Sequence, residues 1–283
     1  MATKTATAPK KESKGFTGIK SGMSVIIACA AIGFALFYLG AGHVSNFVGA
    51  PEGVNFAFQA DGTLESANLI GTVYHGGVVV PVIWTLFITV FALAIERFFA
   101  IRNAYGRTNL TKFVADIKKA LAANDLVAAQ KICDAQRGSV AAVVSATLKT
   151  YKEMEEDTRL TKEQKILAIQ KQLEEATALE MPTMQENLPI IGSIVSLGTL
   201  TGLFGTVLGM IVSFQAMGSG EGGADSAALS KGISEALVNT ASGIATGAIA
   251  TIAYNYYTNK IDRLTFCLDE VGFSIVQTFS ATH

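Results

Sequence analysis

The sequence predicts an all-α membrane protein: four transmembrane helices, with a helical domain inserted between the second and third. Three observations predict it. Four long apolar stretches carry no charged residue. Lys and Arg fall almost wholly into one set of the segments between those stretches. The charged middle of the chain repeats its apolar residues at helical spacing. Composition agrees: of 283 residues, 50% are hydrophobic and 16% charged, with a mean hydropathy of +0.39, where a soluble domain carries about 25% charged residues.

The first element is a basic tail, residues 1–22, holding five lysines. Residues 23–42 read as the first transmembrane helix. Met23 to Leu39 is uncharged for seventeen residues, and Gly40-Ala41-Gly42 continues the run. About 20 residues cross a bilayer core. A lysine-rich start before an apolar run also describes a signal peptide, but this run is longer than a usual signal core and lacks a good cleavage context. Residues 43–75 form a loop without Lys or Arg, where His43 and His75 carry no pattern of their own. Residues 76–99 are the second span: Gly76 to Ile95 is uncharged for twenty residues, and Glu96-Arg97 closes it as an interface anchor.

Residues 100–186 read as a helical domain. Leu110, Phe113, Ile117 and Leu121 make one apolar stripe. Asn124-Asp125 breaks that helix and caps the next, from Leu126 to Gln136, which Gly138 ends. Val140 to Met154 forms another. Thr161 with Gln164 is a capping-box pattern opening a charged helix with Ile166, Ile169 and Leu173 on its apolar side. Pro182 and Pro189 bend or restart it.

Residues 187–216 are the third span. The uncharged run from Asn187 to Gly220 has thirty-four residues, or ~50 Å as a helix, so part of it protrudes. A short Gly-rich loop, 217–230, lacks the GKS/T ending of a phosphate loop. Residues 231–259 are the fourth span, uncharged for the twenty-four residues from Ala236 to Asn259. Residues 260–283 extend that helix, with Leu264, Leu268, Val271, Ile275 and Phe279 at helical spacing.

Charge placement sets the orientation. Of 22 Lys+Arg, 21 lie in the N-terminal tail, residues 96–186 or the C-terminal tail. The positive-inside rule puts both termini and the helical domain in the cytoplasm, and the two acidic loops outside. A net charge of −1 argues against a nucleic-acid partner. The three cysteines have no close spacing. No set of nucleophile, base or metal ligands suggests an enzyme, a metal or a cofactor.

The chemistry concentrates in the last two spans. Gly198, Gly202, Gly205 and Gly209 fall within about 60° on one face of the third, and are read as helix-packing positions. Thr206 lies beside that face, and Thr199, Thr201 and Ser213 add hydroxyls. A membrane Thr can also satisfy itself on its own i−4 carbonyl. In the fourth span Glu235, Asn239, Ser242 and Thr246 share one face within about 60°. Ala236, Thr240, Gly243 and Gly247 share another. A polar stripe beside a small-residue stripe suits a helix that faces helices or water rather than lipid. Hydroxyls and one carboxylate suit a proton or small cation. No acid lies at mid-depth, so a second chain is expected to supply one.

The run Gly202-Leu203-Phe204-Gly205-Thr206-Val207-Leu208-Gly209-Met210-Ile211 with Ser213-Phe214 resembles the signature of the MotA/TolQ/ExbB proton-channel family. Gly232-Ile233-Ser234-Glu235-Ala236-Leu237-Val238-Asn239-Thr240 and Tyr254-Asn255 are similar to its last helix, closest to ExbB and TolQ. The resemblance covers residues 76–275 by layout and 198–260 by motif. It implies a multi-pass subunit of the bacterial inner membrane, a homopentamer around two copies of a single-span ExbD-like partner. Proton flow past the partner's aspartate would drive a TonB-like protein. Thr206 and Thr240 match the family's pore-facing threonines, and Glu235 its glutamate near the outer end. The ion pathway then comprises Thr206, Thr240, Glu235, Asn239, Ser242 and Thr246. The ion is H⁺, with Na⁺ as the alternative. Two departures stand out: Gly198-Thr199 replaces the usual Ala-Pro, and the first span is additional to the three-helix pattern. TolQ-like, gliding or flagellar stator-like roles, and a non-conducting scaffold bound to membrane lipids, are the rival readings.

Overall fold

A computed structural model of the chain describes residues 22–49, 51, 53–60, 64–218 and 226–282. The basic tail up to residue 21 and the Gly-rich loop at 219–225 lie outside them. The order is α1 (Gly22–Ala35), β1 (Phe47–Val48), β2 (Glu65–Ser66), α2 (Leu69–His75), α3 (Val79–Tyr105), α4 (Leu110–Ala122), α5 (Leu126–Gln136), α6 (Gly138–Glu156), α7 (Lys162–Gln185), α8 (Leu188–Gly218) and α9 (Ser226–Thr282). Among the described residues, four helices are long and apolar enough to cross a membrane. Their number is that of the predicted spans. The described residues divide into two compact units: 22–98 with 185–261, and 99–184 with 262–282.

In the first unit α1 packs on α3 through a glycine. A Cβ at Gly33 would sit 2.9 Å from Thr85 Oγ1 and 3.1 Å from Thr85 N, so only glycine allows this approach. The helix widens into a π-turn over Leu36–Ala41. The described residues within 43–75, expected as a plain loop, fold into a small module. Its centre is Asn46, which donates from Nδ2 to Gly40 O (3.0 Å) and Ala41 O (3.1 Å). Gly40 O also accepts from His43 N at 3.3 Å, so Asn46 closes the end of the π-turn. Asn68 Nδ2 donates to Asn46 Oδ1 (3.1 Å), and Asn68 Oδ1 caps α2 by accepting from Gly71 N (3.0 Å). Strand β1 pairs antiparallel with β2, Phe47 opposite Ser66. Aromatics fill the module: Phe37 stacks on Tyr74 with centroids 5.0 Å apart, Trp84 lies edge-on to Phe37, and His75 lies edge-on to Phe47. Gly77, at φ +78°, turns α2 into α3.

The expected interface anchor at the end of this span is corrected by burial. Arg97 is fully buried and Glu96 nearly so. Arg97 Nε donates to Glu96 Oε2 (2.6 Å) and Nη2 reaches Oε1 (2.5 Å). Asn187 Nδ2 adds a longer bond to Oε2, 3.4 Å. The two neighbours neutralise each other, which is what lets both leave water.

The second unit has a conventional hydrophobic core. Ile117, Leu121, Val144, Tyr151, Ile169, Leu264, Leu268, Val271, Ile275 and Phe279 are all buried. Tyr151 meets Phe279 edge-on at 4.9 Å. The helix ends follow the sequence. Asn109 and Asp125 cap α4 and α5. The Thr161–Gln164 box forms as spaced, with Thr161 N donating to Gln164 Oε1 at 3.0 Å. Gly138, at φ +85°, begins α6 where it was expected to end α5. Gln136 ties the turn together, donating to Tyr105 O (2.8 Å) and Thr108 O (3.0 Å). Burial pushes the Cys133 thiol in α5 up to about 12. Pro182 is accommodated inside α7, whereas α8 restarts after Asn187, at φ +62°, with Pro189 in its first turn.

Candidate functional site: the α8–α9 hairpin

The two glycine stripes meet. A Cβ at Gly202 would lie 3.0 Å from Gly243 Cα and 2.9 Å from Asn239 O. At Gly198 it would lie 3.2 Å from Gly247 N, and at Gly209 2.6 Å from Ala236 Cβ. From the other side, a Cβ on Gly243 would lie 2.6 Å from Gly198 O, and one on Gly247 2.8 Å from Thr199 Oγ1. A Cβ at Gly205 would run into Asn239 Cβ at 2.7 Å. The backbones of α8 and α9 therefore touch over about three helical turns. Lipid offers no hydrophobic drive for helix association, so close packing of small residues takes its place.

That approach sets the hydroxyls. Thr206 Oγ1 and Thr240 Oγ1 are 2.5 Å apart. Thr206 Oγ1 also donates toward Gly202 O (3.2 Å) and Leu203 O (3.0 Å), while Thr240 Oγ1 reaches Gly202 O at 3.1 Å. Each hydroxyl has one proton and two lone pairs. Two protons thus face three acceptor directions: the partner hydroxyl and the two carbonyls. More than one arrangement of donors is available without moving a heavy atom. Both threonines are half-buried. Thr206 also lines an open groove of about 580 Å³ with Val207, Met210, Ile211, Phe214 and Gln215.

The other predicted positions separate. Asn239 and Thr246 are buried, 2% and 1% exposed. Thr246 bonds its own Ser242 O at 2.9 Å. Asn239 Nδ2 donates to Gly76 O at 3.0 Å, a contact the sequence did not signal. Glu235 and Ser242 are half-buried on α9, Glu235 one turn before Asn239. The side chain of Lys231, four residues before Glu235, lies outside the described residues. Thr199 and Ser213 close on their own i−4 carbonyls at 3.3 and 2.7 Å. The structure thus brings Thr206 and Thr240 together across the hairpin and leaves Thr199, Ser213 and Thr246 bonded within their own helices. Sequence reasoning missed Gly76 and the buried Glu96–Arg97–Asn187 cluster. Their signals were one glycine before a span and two adjacent opposite charges at its end.

Comparison with known proteins gives the same region. Residues 141–270 match the sequence model of the MotA/TolQ/ExbB proton channel family. The stretch runs from α6 into the last part of α9. The chain is 26% identical over 200 residues to a protein named as an ExbB homolog in Methanothermobacter thermautotrophicus, covering 69% of this chain and 66% of that one. It is 42% identical over 82 residues to the biopolymer transport protein ExbB of Helicobacter pylori, 29% of this chain and 56% of that one. It is 32% identical over 105 residues to the Tol-Pal system protein TolQ of Haemophilus influenzae, 33% of this chain and 46% of that one. In each case the match spans less than two thirds of the relative's own length.

Proposed function

We propose that this chain, whose residues 141–270 match the sequence model of the MotA/TolQ/ExbB proton channel family, is the ExbB-like subunit of a proton-driven motor that energises transport across an outer membrane. What supports a subunit of the MotA/ExbB/TolQ type is the match to a proton channel family and to relatives named as a biopolymer transport protein ExbB and a Tol-Pal system protein TolQ. The finer reading adds an inner-membrane site, a homopentamer, an ExbD-like single-span partner inside the ring and a TonB-like protein to receive the work. It assigns no enzymatic step and no cofactor, and it takes H⁺ as the ion, with Na⁺ the alternative.

The observation that carries this reading is the threonine pair on a glycine-packed hairpin. Two hydroxyls 2.5 Å apart can reorder their donors, so a proton or a water-bound cation reaching one finds an adjustable acceptor. Neither hydroxyl titrates near neutral pH. A carboxylate on a second chain, seated against Thr206 and its groove, supplies the group that binds and releases the proton.

The test is ion flux into proteoliposomes holding this protein with and without its single-span partner, under separate H⁺ and Na⁺ gradients. Flux that requires the partner and follows one gradient supports the reading and names the ion. An assembled complex that energises its receiver yet passes no ion refutes it. The scaffold alternative predicts that Gly205→Leu destroys assembly while Thr206→Val and Thr240→Val leave function whole.

A further inference from the structure

We infer that the described residues within 42–78, with the π-turn that follows α1, are a brace that positions the Thr206–Thr240 pair, and that Asn239 is the residue through which it acts. This rests on the reading of that pair as part of the ion path. It gives a role to the span that is additional to the family's three-helix pattern.

The connection is a line of asparagines. Asn46 Nδ2 holds Gly40 O and Ala41 O at the end of the π-turn that follows α1 (3.0 and 3.1 Å). Asn68 Nδ2 holds Asn46 Oδ1 (3.1 Å), and Asn68 caps α2. Helix α2 ends at His75 and is followed by its cap Gly76, whose carbonyl accepts Asn239 Nδ2 at 3.0 Å. Next to Asn239 in sequence stands Thr240, whose hydroxyl lies 2.5 Å from that of Thr206.

Geometry makes Asn239 a node rather than a bystander. It is 2% exposed. Among the described residues its Oδ1 accepts no hydrogen bond, so the bond to Gly76 is the only one its amide makes. It is wedged from two sides. A Cβ at Gly76 would lie 2.7 Å from Asn239 Oδ1, and one at Gly205 2.7 Å from Asn239 Cβ and 2.9 Å from its Cγ. Helix α9 cannot rotate at this level without breaking the Gly76 bond or striking α8. A glycine-packed helix has few large side chains to lock its rotation, so one directional hydrogen bond is a strong constraint here. Moving Thr240 by even a fraction of an ångström changes which of Gly202 O and Thr206 Oγ1 it can donate to. Asn239 is accordingly a positioning residue.

The test reads the distance between the threonines directly. In a full-length chain with Cys29, Cys133 and Cys267 replaced by alanine, Thr206→Cys and Thr240→Cys are combined and the rate of disulfide formation is followed in membranes. Asn239→Ala, Gly76→Ala and Asn68→Ala are then added singly. Gly76 is at φ −61°, so alanine there acts through its methyl and not through the backbone. The expected result is a rate lowered roughly three- to five-fold by Asn239→Ala or Gly76→Ala, the weight of one buried hydrogen bond. Asn68→Ala, remote from the pair, gives a smaller drop of the same sign. Yield of folded, detergent-extracted protein is measured for each, and Asn68→Ala serves if the nearer variants do not fold. Unchanged rates in folded variants overturn the inference. Because the readout is geometric, it stands apart from conduction: a normal coupling of rates to the brace with no ion flux would refute the ion path and leave the brace in place.

Discussion

Helix α9 is one continuous helix of 57 residues, yet it packs by two different rules. From Ala236 to Ala250 its inward positions are Ala236, Asn239, Gly243, Thr246, Gly247 and Ala250, and Tyr257 and Ile261 follow as the first large ones. From there to its end they are Leu264, Leu268, Val271, Ile275 and Phe279. The first set buries little apolar surface and brings backbones together; the second buries large side chains. The difference follows from the surroundings. A charged, solvated unit gains about 25 cal/mol per Å² of apolar area taken from water. A helix in lipid gains almost nothing that way and depends on close approach and hydrogen bonds. The same rule explains where chemistry can sit. Close backbones expose carbonyls and hydroxyls to one another, as at Gly202, Thr206 and Thr240, whereas the Leu and Phe of the second set leave no polar group to work with.

The comparison is broken most severely by exchanging the rules. Gly202→Leu places a side chain where even a Cβ would lie 3.0 Å from Gly243 Cα. It is expected to abolish hairpin packing and, with it, recovery of assembled complex by size-exclusion chromatography. Phe279→Ala removes a fully buried ring from the other unit and should cost about 4 kcal/mol by denaturant unfolding, while leaving the Thr206–Thr240 cross-link rate intact. Glu96→Leu takes from the buried Arg97 its carboxylate at 2.5 Å, a loss of about 3 kcal/mol. Lys118 and Glu270 form a 2.6 Å bridge with side chains 41% and 38% exposed, so Lys118→Ala should cost under ~1 kcal/mol and less in high salt. Thiol labelling sharpens the contrast at little cost to the fold. With its thiol held at about 12, Cys133 stays protonated and unreactive towards maleimide at pH 8, and labels only when unfolded. Asp157 marks the other limit. Hydrogen bonds from Arg159 hold its carboxyl down at about 2, so that contact persists as pH falls through 4 and is lost only as pH passes about 2. A carboxyl titration by NMR at that residue reads it, and a midpoint near 4 would mean that the Arg159 contact is not kept in solution.

Much of this was legible in the residues because periodic signals report short-range physics. The glycine spacing from 198 to 209 gave a packing face without any coordinate. The Asp125 and Thr161 caps gave helix starts to within a residue, since each is set by a local hydrogen bond. What escaped shares a different trait. Asn46, Asn68 and Gly76 hold residues up to 163 positions away, and no period announces such partners. Glu96-Arg97 read as an interface anchor because charges closing an apolar span usually reach water; their mutual bidentate contact is visible only in three dimensions. Gly138 was recognised as a boundary but assigned to the wrong side of it, because a left-handed glycine can close one helix or open the next.

The central claim is that the hydroxyls of Thr206 and Thr240, not the packing around them, serve the ion. Valine matches threonine in shape and removes only the hydroxyl. Partner-dependent ion flux in proteoliposomes is therefore to be compared for the native chain, Thr206→Val and Thr240→Val, each shown to assemble normally. The account predicts that each substitution lowers flux at least ~10-fold, about 1.4 kcal/mol on the barrier. Flux equal to that of the native chain in both variants would contradict it.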